Sequence, residues 1–365
     1  MKVACSAIFV AFLFLFAPHA HAQTVVEDTV TFAKAQVTDV VSARQEFVEA
    51  TQATTTYQTL RVKVLEGDAQ GQTVSVDNDY LALKAGDLVY LRHTVNTLEG
   101  RDVWSVSEPY RLPVLWVFGG IFLACLFIFG GKQGIRALIS LALSLLCIGY
   151  LLLPGILAGY SPILLSVGIA SLIIILGSYI THGFNKTTTA AVCGMLVTIV
   201  LTGILAYAGV HWAKLSGYSN EETVYLNFNT HGSLDFVGLL FGGIMIGLLG
   251  VLYDAAISQA VAVEELLAVG EHLKPAEILK RALRIGREHI GALVNILAIA
   301  YVGASLPLLL LFVQTVDNPA VTINQELFAT EILRTAISST GLILAVPLTS
   351  LIAVWMLREK KHGDA

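Results

Sequence analysis

The chain has 365 residues, 55% of them hydrophobic and only 13% charged, and its mean hydropathy of +0.73 lies well above that of soluble domains. A formal net charge of −5 leaves no broad cationic surface of the kind nucleic acids demand. The composition excludes an ordinary water-soluble enzyme and points to a protein of the membrane.

Residues 1–22 combine one basic residue, an apolar run and a small-x-small end at Ala20 and Ala22, the layout of a secretory leader. Cleavage is expected before Gln23. The alternative is an uncleaved anchor that leaves both termini inside. Cys5 belongs to the leader and stands in the wrong context for a lipid-anchored cysteine.

Residues 23–110 predict one exported β-rich domain. Apolar and polar residues alternate through TFAKAQVTDVV, TYQTLRVKVLEG, QTVSVDNDY, GDLVYLRHTV and RDVWSVSE, the period-2 pattern of half-buried strands. Turn chemistry separates them at Glu66-Gly67-Asp68 with Gly71, at Lys84-Ala85-Gly86-Asp87 and at Glu99-Gly100-Arg101. Five short strands suggest a small barrel of the OB or SH3 kind. With 13 acidic and 7 basic side chains, the domain is suited to meeting another protein or packing on the outer mouth of the spans, and not to nucleic acid.

From residue 111 the chain predicts a membrane all-α bundle of seven transmembrane helices, at residues 112–129, 137–157, 161–180, 189–210, 234–253, 290–313 and 334–357. Each approaches the roughly 20 apolar residues needed to cross about 30 Å of hydrocarbon. Lys and Arg orient them, because basic short loops stay inside. Lys132, Arg136, Lys186, Lys274, Lys280, Arg281, Arg284, Arg287, Arg358, Lys360 and Lys361 all fall on one side, opposite Lys214, Glu221, Glu222, Asp317 and Glu326. The N-terminal domain is therefore expected outside a cytoplasmic membrane and the tail inside.

Cys125, Cys147 and Cys193 lie within predicted spans, so no disulfide framework is implied. His182, His211 and His231 have no zinc-ligand spacing, and no metal or cofactor is expected. Span four carries Ala190, Gly194, Thr198, Thr202 and Gly203; span five carries Gly238, Gly242, Gly243, Gly247 and Gly250. Small residues let helices approach closely in lipid, either in a fixed bundle or as a sliding pair.

After Gly250, GVLYDAAISQAVAVEELLAVG has no turn signal before Gly270, so the helix is expected to run past Asp254 toward Glu265. Asp254 reads equally as a surface anchor or, kept between helices, as a proton or cation site. Asp235, about 28 Å earlier on the same helix, is the second carboxylate with this ambiguity. An amphipathic basic helix follows from Pro275, completes a pair of inner helices over residues 255–289, and leads into span six, where Asn295 and Tyr301 are polar and Pro307 is a kink position. In span seven Arg334 either snorkels outward or pairs with Asp235 or Glu331. Ser338, Ser339, Thr340, Gly341, Pro347, Thr349 and Ser350 give that span an unusually polar interior, as in helices that line transport paths.

GLLGVLYDAAISQAVAVEEL, IGREHIGALVNILAIAYVGASLPLLLLF and EILRTAISSTGLILAVPLTSLIA resemble the C-terminal motifs of the YibE/F family of multi-span membrane proteins. The resemblance extends more loosely over the β domain, GGKQGIR and HGFNKTT, and implies a membrane protein with a transport role. A second, looser likeness is to the SecD and SecF proton-driven export proteins, in which Asp254, Glu265, Pro275 and Asn295 occupy comparable places in order; the exported domain and the span count differ. No nucleophile elbow, P-loop, His-Glu-x-x-His or kinase set occurs, so an enzyme is not expected. The expected function is an ion-coupled secondary transporter or export component, with a scaffold that assembles an envelope complex as the alternative. Asp254, Glu265, Asn295, Arg334 and Asp235 are the candidate ion-site residues. The expected partners are the lipid bilayer and a second copy or an envelope protein.

Overall fold

The computed structural model describes residues 29–49, 53–79, 81–96, 101–270, 273–314 and 318–358. The leader, the turn at Glu99-Gly100, Asp317 and the basic tail at Lys360 and Lys361 lie outside the described residues. The chain divides into two compact units at the Phe129–Gly130 boundary.

The first unit holds an antiparallel five-stranded half-barrel: β1 (Thr29–Val48), β2 (Ala53–Val64), β3 (Thr73–Asn78), β4 (Leu88–Asn96) and β5 (Arg101–Pro109), in the order β3-β2-β1-β4-β5. β1 is not short. It pairs with β4 through Thr29–Gln36 and with β2 through Ala35–Val48, and register shifts after Val37 and Val40 bend it between the two partners. The two edge strands, β3 and β5, come into contact. Ala35, Val37, Leu60, Val62, Val64, Val89 and Leu91 are fully buried on the inner face, where period-2 alternation places them. The turn after Leu83 closes as its residues require: Lys84 N–H donates to Asp87 Oδ2 at 2.8 Å, and Gly86 takes φ +98°.

Helix α1 (Leu112–Cys147) runs on through a π-turn (Ile148–Leu152) into α2 (Leu153–Leu157). Seven spans were expected. Among the described residues six helical stretches are long and apolar enough to cross a membrane, the first of them the 46 residues Leu112–Leu157 that contain the first two expected spans. Nothing between Leu112 and Cys147 breaks the helix except Gly131, whose φ of 51° and ψ of −134° no helix contains. The stretch is thus two helices that meet at a kink at Gly131, beside the expected loop, and Lys132 and Arg136 fall in the second of them, where Lys, Gln and Arg are good helix formers.

The other helices are α3 (Pro162–His182), α4 (Lys186–Trp212), α5 (Glu221–Asn229), α6 (Phe236–Val269), α7 (Pro275–Ala304), α8 (Leu306–Gln314), α9 (Pro319–Asn324) and α10 (Glu326–Arg358). Asn185, Asn220 and Asp235 cap α4, α5 and α6 by accepting from Thr188, Thr223 and Gly238 N–H. As expected, α6 passes Asp254 without a break and ends at Gly270. The amphipathic segment at Pro275 and the apolar run behind it are one helix, α7, which stops at Ser305 before Pro307.

In the second unit α4, α6 and α10 are mutually in contact. α3 lies against α4 and α6, and α7 against α6 and α10. The unit has a Glu326 end, shared by Asp235 and Ser305, and an Arg358 end, shared by His182, Lys186 and Lys274.

Candidate functional site

Small residues set the spacing of the bundle. Along α3 and α6, Pro162 faces Gly238, Ser166 faces Gly242, and Tyr253 donates its hydroxyl to Gly177 O at 3.2 Å. The constant offset makes the two helices parallel. A Cβ at Gly242 would sit 2.5 Å from Ser166 Oγ, and one at Gly247 would sit 2.8 Å from the Tyr301 hydroxyl on α7. Gly243 and Gly250 face open space.

α4 and α10 interlock more closely. Thr349 of α10 fills the space at Gly194, and Thr202 of α4 fills the space at Gly341. Each helix thus offers a Gly and a Thr eight positions apart to the other's Thr and Gly, an antiparallel reciprocal seat. Any side chain at Gly194 would run into the Thr349 backbone, with its Cβ 2.9 Å from Thr349 Cα. Gly-for-Thr exchange of this kind gives backbone approach in lipid, where burial of apolar surface supplies no drive.

The same contact surface is polar. Arg334, Ser338, Gly341, Ala345 and Thr349 follow at intervals of three and four, which puts them on one face of α10. Ser338, Thr349 and, across the contact, Thr202 are completely buried. Their hydroxyls have no hydrogen-bond partner, nor have the buried Thr330 Oγ1, Tyr301 hydroxyl and Arg334 Nε. Thr198 and Ser350 instead return their hydroxyls to Gly194 O and Val346 O at 2.8 and 2.7 Å. An unpaired polar group in an apolar surrounding costs on the order of 2 kcal/mol. Arg334 Nε, Ser338, Thr202 and Thr349 form a row of them, a seam along the contact of α4 and α10.

The seam is anchored at both ends. Toward the Glu326 end, Arg334 pairs with Glu331 at 2.9 Å, and Ser305 Oγ lies 3.4 Å from the same carboxylate. Both charged side chains are roughly three-quarters buried, at 28% and 24% exposure. Beyond them, Glu326 accepts from Ser216 N–H, Ser216 hydroxyl and Gly217 N–H, each at 2.8 Å, tying the segment after α4 to the start of α10. Toward the Arg358 end, Gln259 of α6 is 3% exposed and donates to Ala282 O on α7 at 2.9 Å and to Ser350 Oγ on α10 at 2.7 Å. One amide therefore joins three helices, and Gly286 leaves room for it.

The structure does not bring the five candidate ion-site residues together. Asp235 caps α6 by accepting from Gly238 N–H at 2.9 Å. Asp254 is exposed and follows Tyr253, whose ring contacts His182 at the end of α3, so it sits at the Arg358 end of the bundle. Glu265 is exposed further along α6, and Asn295 is exposed on α7. Arg334 alone reaches the seam, and of its two expected partners it takes Glu331. No group of three or more His, Cys, Asp or Glu side chains suited to a metal occurs among the described residues. Gln259 and Glu326 were missed by sequence reasoning; a single Gln or Glu in a helical pattern looks like a surface residue, and only the partners identify it.

The sequence model of the YibE/F-like protein family matches residues 118–359. No curated protein and no solved structure matches the chain. The family match starts at Phe118, so it does not include the half-barrel, over which the sequence resemblance was expected to extend. It contains α3, α4, α6, α7 and α10 and every residue of the seam, and the chain is accordingly a membrane protein that belongs to the YibE/F-like family.

Proposed function

We propose that the protein is a secondary transporter or export component of the cytoplasmic membrane whose path follows the polar face of α10. The observation that carries this reading is the file of buried, unpartnered groups formed by Arg334 Nε, Ser338, Thr202 and Thr349. A bundle built only to hold its shape would replace such hydroxyls with apolar side chains at no cost in packing. Residues that remain polar inside a membrane mark ion and solute pathways. The Glu331–Arg334 pair gates one end of the file. Asp254 and Glu265, exposed toward the other end, draw the coupling cation to its mouth.

In this reading the half-barrel is an OB-type domain outside the membrane and the basic residues from Lys132 to Arg358 lie inside. The strand order and the approach of β3 to β5 support the first assignment. The charge distribution supports the second. The 46-residue helical stretch is about 69 Å long at 1.5 Å per residue, enough for two crossings, and the break at Gly131 beside Lys132 is where they meet, giving seven spans.

The test is ion current across proteoliposomes under imposed proton and sodium gradients, with wild type beside the triple variant Thr202→Val, Ser338→Ala, Thr349→Val. The proposal expects the variant to fold and to lose at least nine-tenths of the current. Equal currents in the two proteins would overturn it.

A second reading, a scaffold for an envelope complex, is favoured by a polar groove of about 560 Å³ on the half-barrel. Arg44, Tyr57, Thr59 and Asp77 line it from three neighbouring strands. In that case Asp77→Ala with Arg44→Ala would abolish function while the triple variant would retain it.

A further inference from the structure

A groove of about 540 Å³ opens between the first turns of α7 and the last turns of α10, at the Arg358 end of the bundle. Its walls are Pro275, Ala276 and Leu279 on one side and Leu351, Val354 and Trp355 on the other, and Arg358 stands at its mouth. Leu351 and Trp355 are 56% and 66% exposed, so the groove opens outward, where membrane helices meet lipid tails. Trp is the side chain enriched where hydrocarbon gives way to head groups, and Arg presents a planar fork matched to phosphate.

The helix that forms one wall is rich in cations. Lys274 caps α7 without a side-chain hydrogen bond, and Lys280, Arg284 and Arg287 follow on the same helix. Among the described residues no carboxylate pairs with any of these or with Arg358. The acidic side chain in the first turn, Glu277, is already taken by Arg281 at 2.6 Å. The N-terminus of α7, a 30-residue helix, adds its positive dipole end at Pro275 and Ala276, which themselves line the groove.

We infer that this groove is a binding site for an anionic phospholipid, with an acyl chain along Leu279, Leu351, Val354 and Trp355 and the phosphate against Arg358 and the start of α7. An apolar trough ending in cations matches a molecule that is apolar for most of its length and anionic at one end. A zwitterionic lipid would bring its own cation to the same mouth and lose most of the attraction. A soluble anion would leave the trough empty. The inference rests on the membrane assignment and not on transport. A lipid bound here bridges α7 and α10, the two helices that Gln259 also joins, and so stabilises the Arg358 end of the bundle.

Native mass spectrometry of the full-length protein, delipidated and then titrated with phosphatidylglycerol or phosphatidylcholine, tests this directly. Wild type is expected to retain phosphatidylglycerol at least fivefold more strongly than phosphatidylcholine. Arg358→Gln should reduce that preference to below twofold, and Ala276→Trp, which fills the trough, should reduce retention of both lipids. Arg61→Gln, which removes an exposed cation of the half-barrel, should leave the preference intact. Equal retention of the two lipids by wild type, or an unchanged preference in Arg358→Gln, would overturn the site. Displacement of the lipid by millimolar inorganic phosphate would also overturn it, in favour of a soluble anion. Loss of lipid preference with ion current preserved would separate this site from the transport reading.

Discussion

The half-barrel and the helical bundle both bury an apolar core, and they differ in how many of their buried polar groups find partners. Inside the half-barrel Val37, Leu60, Val62, Val64 and Leu91 make an apolar core, and the buried Gln58 spends its amide on Leu83 N–H, Leu83 O and Asn78 Nδ2. Inside the bundle Ser166, Thr202, Thr330, Ser338 and Thr349 are just as buried, and their hydroxyls have no hydrogen-bond partner among the described residues. A domain in water is assembled by removing apolar surface from water, so its core is apolar and most of its few buried polar groups are paired, with Asn78 Oδ1 and His93 Nε2 the exceptions here. Helices in lipid gain nothing from that exchange and assemble by close backbone approach. Small polar side chains are thus compatible with assembly there, and Thr202 and Thr349 serve it by filling the spaces at Gly341 and Gly194; the proposed path gives their hydroxyls a second role.

The comparison breaks most easily in the half-barrel. Leu60→Ala should destabilise it by about 3 kcal/mol, as core truncations do, and hydrogen exchange in the full-length protein should show lost protection across β1 and β2 with the bundle unaffected. Gly341→Val should destabilise the bundle by roughly 2 kcal/mol through overpacking, because its side chain meets Thr202 and Leu248. Adding Thr202→Ala should restore part of the detergent melting temperature, and strict additivity of the two changes would show that the reciprocal seat is not what holds α4 to α10.

Much of this architecture is legible in the chain, and the boundary of legibility is physical. Apolar runs and caps locate α3, α4, α6 and α10, and the absence of a turn before Gly270 predicts that α6 extends past Asp254. Alternation places all five strands. The i, i+3 spacing of Glu331 and Arg334 makes their pairing one of two readable choices. The bulges that bend β1 between two partners are not readable, because alternation along one strand does not say where its register slips. The first stretch was half legible, because charge suggests a loop at Lys132 where the chain makes a kink at Gly131 and at once resumes as helix. Gln259, 91 positions from Ser350, and Glu326, 110 from Ser216, depend on contacts no local pattern carries. The Gly and Thr residues of α4 and α10 are all visible, yet only the structure reveals that they exchange places.

Smaller effects sharpen the contrast between paired and unpaired polar groups. Gln259→Leu should lower the bundle's stability by about 1 kcal/mol, since it removes the two bonds by which α6 holds α7 and α10. Thr202→Val, by contrast, removes a hydroxyl with no partner and should leave the melting temperature unchanged or slightly raised. Arg281→Gln loses only an exposed i, i+4 ion pair and should shift stability by less than about 0.5 kcal/mol. If Thr202→Val were instead as damaging as Gln259→Leu, its hydroxyl would have to be paired in the membrane.

The central claim, that the seam along α10 holds water or solute, is tested most directly by thiol accessibility in membranes. With Cys5, Cys125, Cys147 and Cys193 replaced by alanine, single cysteines are placed at Ser338 in the seam, at Ile343 on the exposed side of the same helix, and at Arg281 on the exposed basic face of α7 as a positive control. A membrane-impermeant, water-soluble thiol reagent should label Ser338→Cys and Arg281→Cys and spare Ile343→Cys. Labelling of Arg281→Cys alone, with reagent supplied from both sides of the membrane and the Ser338→Cys protein folded, would mean that the seam is dry and would contradict the account.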